Sequence, residues 1–134
     1  MRNPAKAARL AQEFADYGEI QVLHWEDGAF LDHLAVTDLL VNTTPLGMYP
    51  HVEGMPPVDW AKLKQDALVY DIIYTPERTR FLCEAQEHGH AIINGEGMLA
   101  GQGAAAFTLW TGVAPDIALM KRALREELAS RQGK

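Results

Sequence analysis

Short apolar runs that do not alternate with polar residues constrain this chain most. Leu39 to Asn42, Leu68 to Ile73 and Ala91 to Ile93 read as strands, with Ile20 to Leu23 as another. A strand with one wet face alternates apolar and polar residues. A strand covered on both faces does not, and Leu39 to Asn42 shows little alternation. Between the runs lie helical patterns. Residues 4–17 carry Ala7, Leu10, Ala11, Phe14 and Ala15 on one stripe. Asn3 is placed to cap that helix, Pro4 suits its first position and Gly18 ends it. Phe30 to Ala35 is predicted as a short helix, and Thr75–Pro76 is predicted to open one that runs to about His88, closed by Gly89. Residues 96–111 form a nearly all-apolar helix. Asp116 to Leu128 reads as an amphipathic one, with Ile117, Met120, Leu124 and Leu128 on its stripe.

Alternating strands and helices predict an α/β fold with a parallel sheet covered on both faces. Ligands of such sheets bind beyond the C-terminal strand ends. Residues 42–48, 72–75 and 94–98 follow three of the strands, so all are predicted to line that edge. Residues 43–59 hold four of the seven prolines and read as a long loop.

Bulk properties narrow the function. A chain of 134 residues with 48% hydrophobic residues suffices for one domain with a core. Its net charge of -6 argues against nucleic-acid or membrane-surface binding. Arg2, Lys6 and Arg9 are a local basic exception near a helix start. No apolar run is long enough to span a membrane, and a soluble cytoplasmic protein is the expectation. A single cysteine, Cys83, excludes an intrachain disulfide framework. The histidines at 24, 33, 51, 88 and 90 lack zinc-type spacing, so no metal is expected. Asp71, inside a strand, is expected to satisfy loop amides rather than act as a base.

The helix 96–111 holds the most pointed local feature. At about 100° per residue, Met98, Leu99, Gln102, Ala105, Ala106 and Leu109 share one arc of roughly 120°. Gln102 is expected at the middle of a buried face, where its amide needs either a loop carbonyl or a ligand. Gly95, Gly97, Gly101 and Gly103 open or interrupt this helix, and interior glycines mark close approach by a helix or a ligand.

Three segments in order, "NTTPLGM" (42–48), "YDIIYTPERTRFL" (70–82) and "NGEGMLAGQGAAAFTLWTG" (94–112), resemble the C-terminal, cofactor-binding part of shikimate dehydrogenase. "RNPAKAARLA" (2–11) resembles that family's Asn-Arg-Thr element and the helix after it. The resemblance implies an incomplete Rossmann-like doubly wound sheet, lacking its first two strands. It implies an NADP-dependent oxidoreductase that reduces 3-dehydroshikimate to shikimate, on the route to chorismate and the aromatic amino acids. Arg2 and Asn3 would hold the 2′-phosphate of NADP. Thr43, Thr44 and Pro45 would lie along its pyrophosphate and nicotinamide ribose. Ile72, Gly95, Met98 and Leu99 would surround the nicotinamide. Tyr74 and Gln102 would bond the substrate.

The departures from the family pattern are as informative. No glycine-rich strand-to-helix turn precedes Asn3. The family's substrate domain, with its catalytic lysine and aspartate, has no counterpart here. Lys6, Lys62, Lys64, Lys121 and Lys134 match no catalytic position. The expectation is one partial NADP-binding domain over residues 1–134, inactive alone and in need of the N-terminal half or a partner chain. Self-association into a homodimer stays open. So does a different class of role, a non-catalytic nucleotide-binding or regulatory module.

The reading of Arg2 is testable in a protein that includes the family's N-terminal half. A guanidinium at a helix start favours a phosphate there. Arg2→Ala is therefore expected to lower the NADP-to-NAD ratio of kcat/KM. An unchanged ratio counts against the assignment.

Overall fold

The computed structural model describes residues 4–132, and the side chains of residues 5–130. Arg2 and Asn3 lie outside the described residues. The chain divides into two compact units, 1–37 with 57–64, and 38–56 with 65–134.

In the first unit, helix α1 (Pro4–Glu13) is followed by a single 3-10 turn over Ala15–Tyr17. The predicted helix over 4–17 is thus shorter than its apolar stripe. Phe14 marks the break, with φ -105° and ψ 10°, outside the helical basin. Helix α2 (Gly28–Leu34) follows, and its Leu34 is buried. The Lys64 amide donates to the Leu34 carbonyl at 3.0 Å, tying segment 57–64 to the end of α2. The strand predicted at Ile20 to Leu23 does not form. Its residues are irregular chain without strand pairing, with Ile20 and Val22 exposed. A strand exists only by pairing, and no strand among the described residues pairs with this one.

The second unit is built on a three-stranded parallel sheet in the order β1 (Leu39–Asn42), β2 (Leu68–Asp71), β3 (Ala91–Ile93). The register sets Leu39 opposite Leu68 and Asn42 opposite Asp71. Val69 at the centre is fully buried, whereas Leu39 and Val41 on the edge strand β1 are exposed. Helix α3 (Arg80–Glu87) joins β2 to β3 and packs on both, burying Phe81, Leu82 and Ala85. It begins at Arg80, not at the predicted Thr75–Pro76. The physical reason is Thr79, whose hydroxyl caps the helix by accepting from the Leu82 amide at 3.4 Å.

Helix α4 (Glu96–Thr111) forms as predicted, but its buried side is the opposite of the expected one. Glu96, Ala100 and Ala104 are buried, while Gln102, Ala105 and Leu109 are exposed. Helix α5 (Ile117–Gln132) packs against α4 and runs four residues beyond the predicted end. Small residues permit that contact. A Cβ at Gly103 would lie 2.9 Å from the Met120 methyl, and one at Gly97 would lie 3.5 Å from Lys121 Nζ. Interior glycine thus marks close approach by a helix at both positions, whereas Gly101 faces open space. In a helix apolar all round, the packing partners decide which arc is buried.

The start of α4 is pinned to the end of β2. The Gly95 amide donates to the Ile73 carbonyl at 2.9 Å. A Cβ on Gly95 would overlap the Ile72 carbonyl. Gly95→Ala is therefore expected to destabilise by about 1–3 kcal/mol through forced backbone displacement. Gly101→Ala, in a helix with room for the methyl, is expected to stabilise by up to about 1 kcal/mol. Urea unfolding of both variants checks this pair, and equal effects would refute the steric account of Gly95.

Candidate functional site

A buried polar network organises the sheet edge beyond β1 and β2. Asn42 and Asp71 end their strands opposite each other and are almost fully buried. Asn42 Nδ2 donates to both Asp71 oxygens at 3.2 Å and to the Leu46 carbonyl at 3.3 Å. Asn42 Oδ1 accepts from the Thr44 amide at 3.0 Å and the Thr44 hydroxyl at 2.7 Å. Asp71 in turn accepts from the Ile73 amide at 3.1 Å and from the Thr79 hydroxyl at 2.6 Å. Every oxygen of the pair therefore has a donor, as burial demands. Asp71 satisfies a loop amide, as its strand position suggested.

This network shapes the loop after β1. Thr44 Oγ1 also accepts from the Leu46 amide at 3.2 Å, closing a tight turn. Its hydroxyl is thus turned inward, while Thr43 and Pro45 are exposed. Farther on, the Tyr49 amide donates to the Thr75 carbonyl at 3.2 Å, joining the loop after β1 to the loop after β2. Arg80 Nη1 donates to the Glu53 carbonyl at 3.3 Å and holds the same loop over the start of α3.

Between the two loops and α4 lies a cleft of about 570 Å³, a size typical of small-molecule sites. It brings together Thr43, Thr44, Pro45, Ile72, Tyr74 and Met98 from the sequence-derived candidates. Met48, Tyr49, Ile73 and Thr75 line it as well. Met48 lies inside the quoted NTTPLGM motif. Ile73 and Thr75 lie in the segment 72–75 predicted for this edge, whereas Tyr49 is brought there by its backbone bond to Thr75, which leaves no mark on local sequence. Gly95 is buried at the junction of β2 and α4 and does not line the cleft. Leu99 is half-buried beside Met98 on α4. Gln102, expected at the middle of a buried face, is exposed one helical turn beyond Met98. Among the described residues its amide has no side-chain hydrogen bond holding it to the protein, so it is available to a ligand. No cluster of three or more histidine, cysteine or carboxylate side chains suited to a metal occurs among the described residues. No described helix is long and apolar enough to cross a membrane.

Comparison with known proteins adds an independent line. The profile of the Shikimate 5'-dehydrogenase C-terminal domain matches residues 95–125. The shikimate dehydrogenase (NADP(+)) of Methanococcus maripaludis is 49% identical over 132 residues, which cover 92% of this chain and 44% of that protein. A shikimate dehydrogenase solved in complex with NADP+ superposes with a TM-score of 0.84 at 38% identity, over 95% of this chain and 45% of that one. A quinate dehydrogenase from Corynebacterium glutamicum, solved with NAD, gives a TM-score of 0.77 at 30% identity, over 92% of this chain and 44% of that one. The chain spans less than half the length of the relatives it matches.

The network predicts a specific energetic asymmetry. Thr79→Val keeps the shape but removes the hydroxyl, leaving Asp71 Oδ2 and the Leu82 amide short of a partner. The expected cost is about 1–3 kcal/mol, and Thr79→Ser, which keeps the hydroxyl, is expected to recover most of it. Thermal unfolding of the two variants checks this. Equal destabilisation would show that only the lost methyl packing matters.

Proposed function

We infer that this chain, which corresponds to the C-terminal part of the shikimate dehydrogenases, binds NADP(H) beside shikimate and takes part in their oxidoreduction. The observation that carries the reading is the cleft at the C-terminal ends of β1 and β2, because six of the residues assigned by resemblance line it together. NADP(H), when bound, supplies or accepts the hydride.

The residues present fit such a group. The exposed Thr43 and Pro45 and the compact turn at Thr44 leave the surface of this loop open to a ligand laid along it. The apolar side chains of Ile72 and Met98 line the cleft where a nicotinamide ring would need shelter from water. Tyr74, a cleft residue, offers a hydroxyl to the substrate. Gln102 offers its amide to the substrate's hydroxyl and carboxylate end. Gly95 serves from behind, fixing the start of α4 against β2 so that Met98 keeps its place. Arg2 and Asn3 are assigned to the 2′-phosphate by the resemblance alone.

Proton transfer in this reading belongs to the lysine of the substrate domain, supplied by polypeptide beyond the region matched here or by a partner chain. The reaction runs from 3-dehydroshikimate to shikimate in the biosynthetic direction.

Gln102→Ala tests the reading in a protein that carries both halves. An exposed side chain without protein partners contributes little to folding, so stability is expected to change by less than about 0.5 kcal/mol. Loss of a substrate hydrogen bond is expected to reduce kcat/KM for shikimate by a factor corresponding to about 1–3 kcal/mol, with NADP affinity unchanged. Unchanged kinetics would remove Gln102 from the site.

A further inference from the structure

Beside the larger cleft, and sharing Tyr74 with it, the structure holds a second and smaller cavity. Its volume is about 90 Å³, and its polar walls come from Tyr74, Glu77, Asn94, Glu96 and Arg125. Tyr74 is the one residue shared by the walls of this cavity and of the larger cleft. Whatever occupies the small cavity therefore bears on the residue assigned to substrate.

Glu96 is the unusual member. It follows the helix-opening Gly95 and is buried, with only 9% of its side chain exposed. Oε2 accepts from Arg125 Nε at 3.0 Å. Oε1 is buried with no hydrogen-bond partner. An unsatisfied carboxylate oxygen away from water is costly, and such atoms in folded proteins generally have a partner. The surrounding groups are already committed. The Asn94 amide nitrogen donates to the Glu77 carbonyl at 3.1 Å, and Asn94 Oδ1 accepts from the Glu96 backbone amide at 3.2 Å. The terminal torsion of a glutamate is broad, so the carboxylate has freedom to turn an oxygen toward the cavity, at the expense of its bond to Arg125. A cavity needs only about 10–15 Å³ to hold one water, together with two to four polar partners.

We propose that Glu96 is a positioning residue that holds ordered water in this cavity, and that the water bonds the Tyr74 hydroxyl and fixes the ring at the substrate cleft. The proposal rests on the assignment of Tyr74 to substrate, but the water itself needs no substrate to be seen. A cation is the weaker occupant. The Arg125 guanidinium already lines the cavity, and the described residues there supply no third carboxylate or histidine.

The test is a crystal structure of the chain at a resolution that orders water, with Glu96→Gln, Glu96→Leu and Tyr74→Phe alongside. In the unsubstituted chain, water is expected within hydrogen-bond distance of both a Glu96 oxygen and Tyr74 Oη. Glu96→Gln is expected to retain it. Glu96→Leu is expected to lose it and to release Tyr74 into a second rotamer. Tyr74→Phe, at a partly exposed position that tolerates the change, is expected to displace the water without moving Glu96, and it decides the matter even if Glu96→Leu does not fold. A dry cavity, a carboxylate turned to take two Arg125 nitrogens, or a Tyr74 rotamer indifferent to Glu96→Leu overturns the proposal. Because no substrate is present, each of these results leaves the reading of the cleft standing. That reading falls separately, if Tyr74→Phe in a protein with both halves leaves the KM for shikimate unchanged.

Discussion

The contact between Asn42 and Asp71 is the point on which the second unit turns. Register places the two residues opposite each other at the ends of neighbouring strands, and burial leaves them no water. Each must therefore find its partners in the protein. Asn42 finds them in Thr44 and Leu46, which folds the loop after β1. Asp71 finds them in Ile73 and Thr79, which shapes the loop after β2 and sets the first residue of α3. A one-residue slip of β1 would turn Asn42 to the opposite face and leave the carboxylate short of its donor. The two walls of the cleft are thus positioned by one pair of side chains that does not itself line it.

Helix α4 completes the cleft from the other side. Its first turn is held by the Gly95 amide on the Ile73 carbonyl, with no room for a side chain between. Its inner arc of small residues admits α5, and Arg125 reaches back from α5 to Glu96 in that first turn. The outer arc, from Met98 past Gln102 to Leu109, is left facing outward. Leu109 is about four-fifths exposed, at 83%, so this face is apolar and open, with an uncommitted amide in its midst. Such a face marks an interaction surface more readily than a solvated one.

The exposed edge of β1 belongs to the same picture. Leu39 and Val41 project from a strand that pairs on one side only among the described residues. The three strands run side by side in sequence order, as one half of a doubly wound sheet does.

What the sequence determined by itself is what neighbours within a few residues control. Short apolar runs specified β1, β2 and β3, and the nearly all-apolar run over 96–111 specified α4. Alternation of the elements specified a parallel sheet, and with it the edge where the cleft lies. Other features depended on residues distant in the chain, and no local pattern carried them. The shape of the β1 loop was decided by a pair 29 residues apart. The buried arc of α4 was decided by α5, because a helix apolar on every side has no preferred face until something packs on it. The segment 20–23 had the composition of a strand, but hydrogen bonding to a neighbour is what makes one. Composition sets the propensity of a segment, whereas tertiary pairing decides whether its backbone groups find partners.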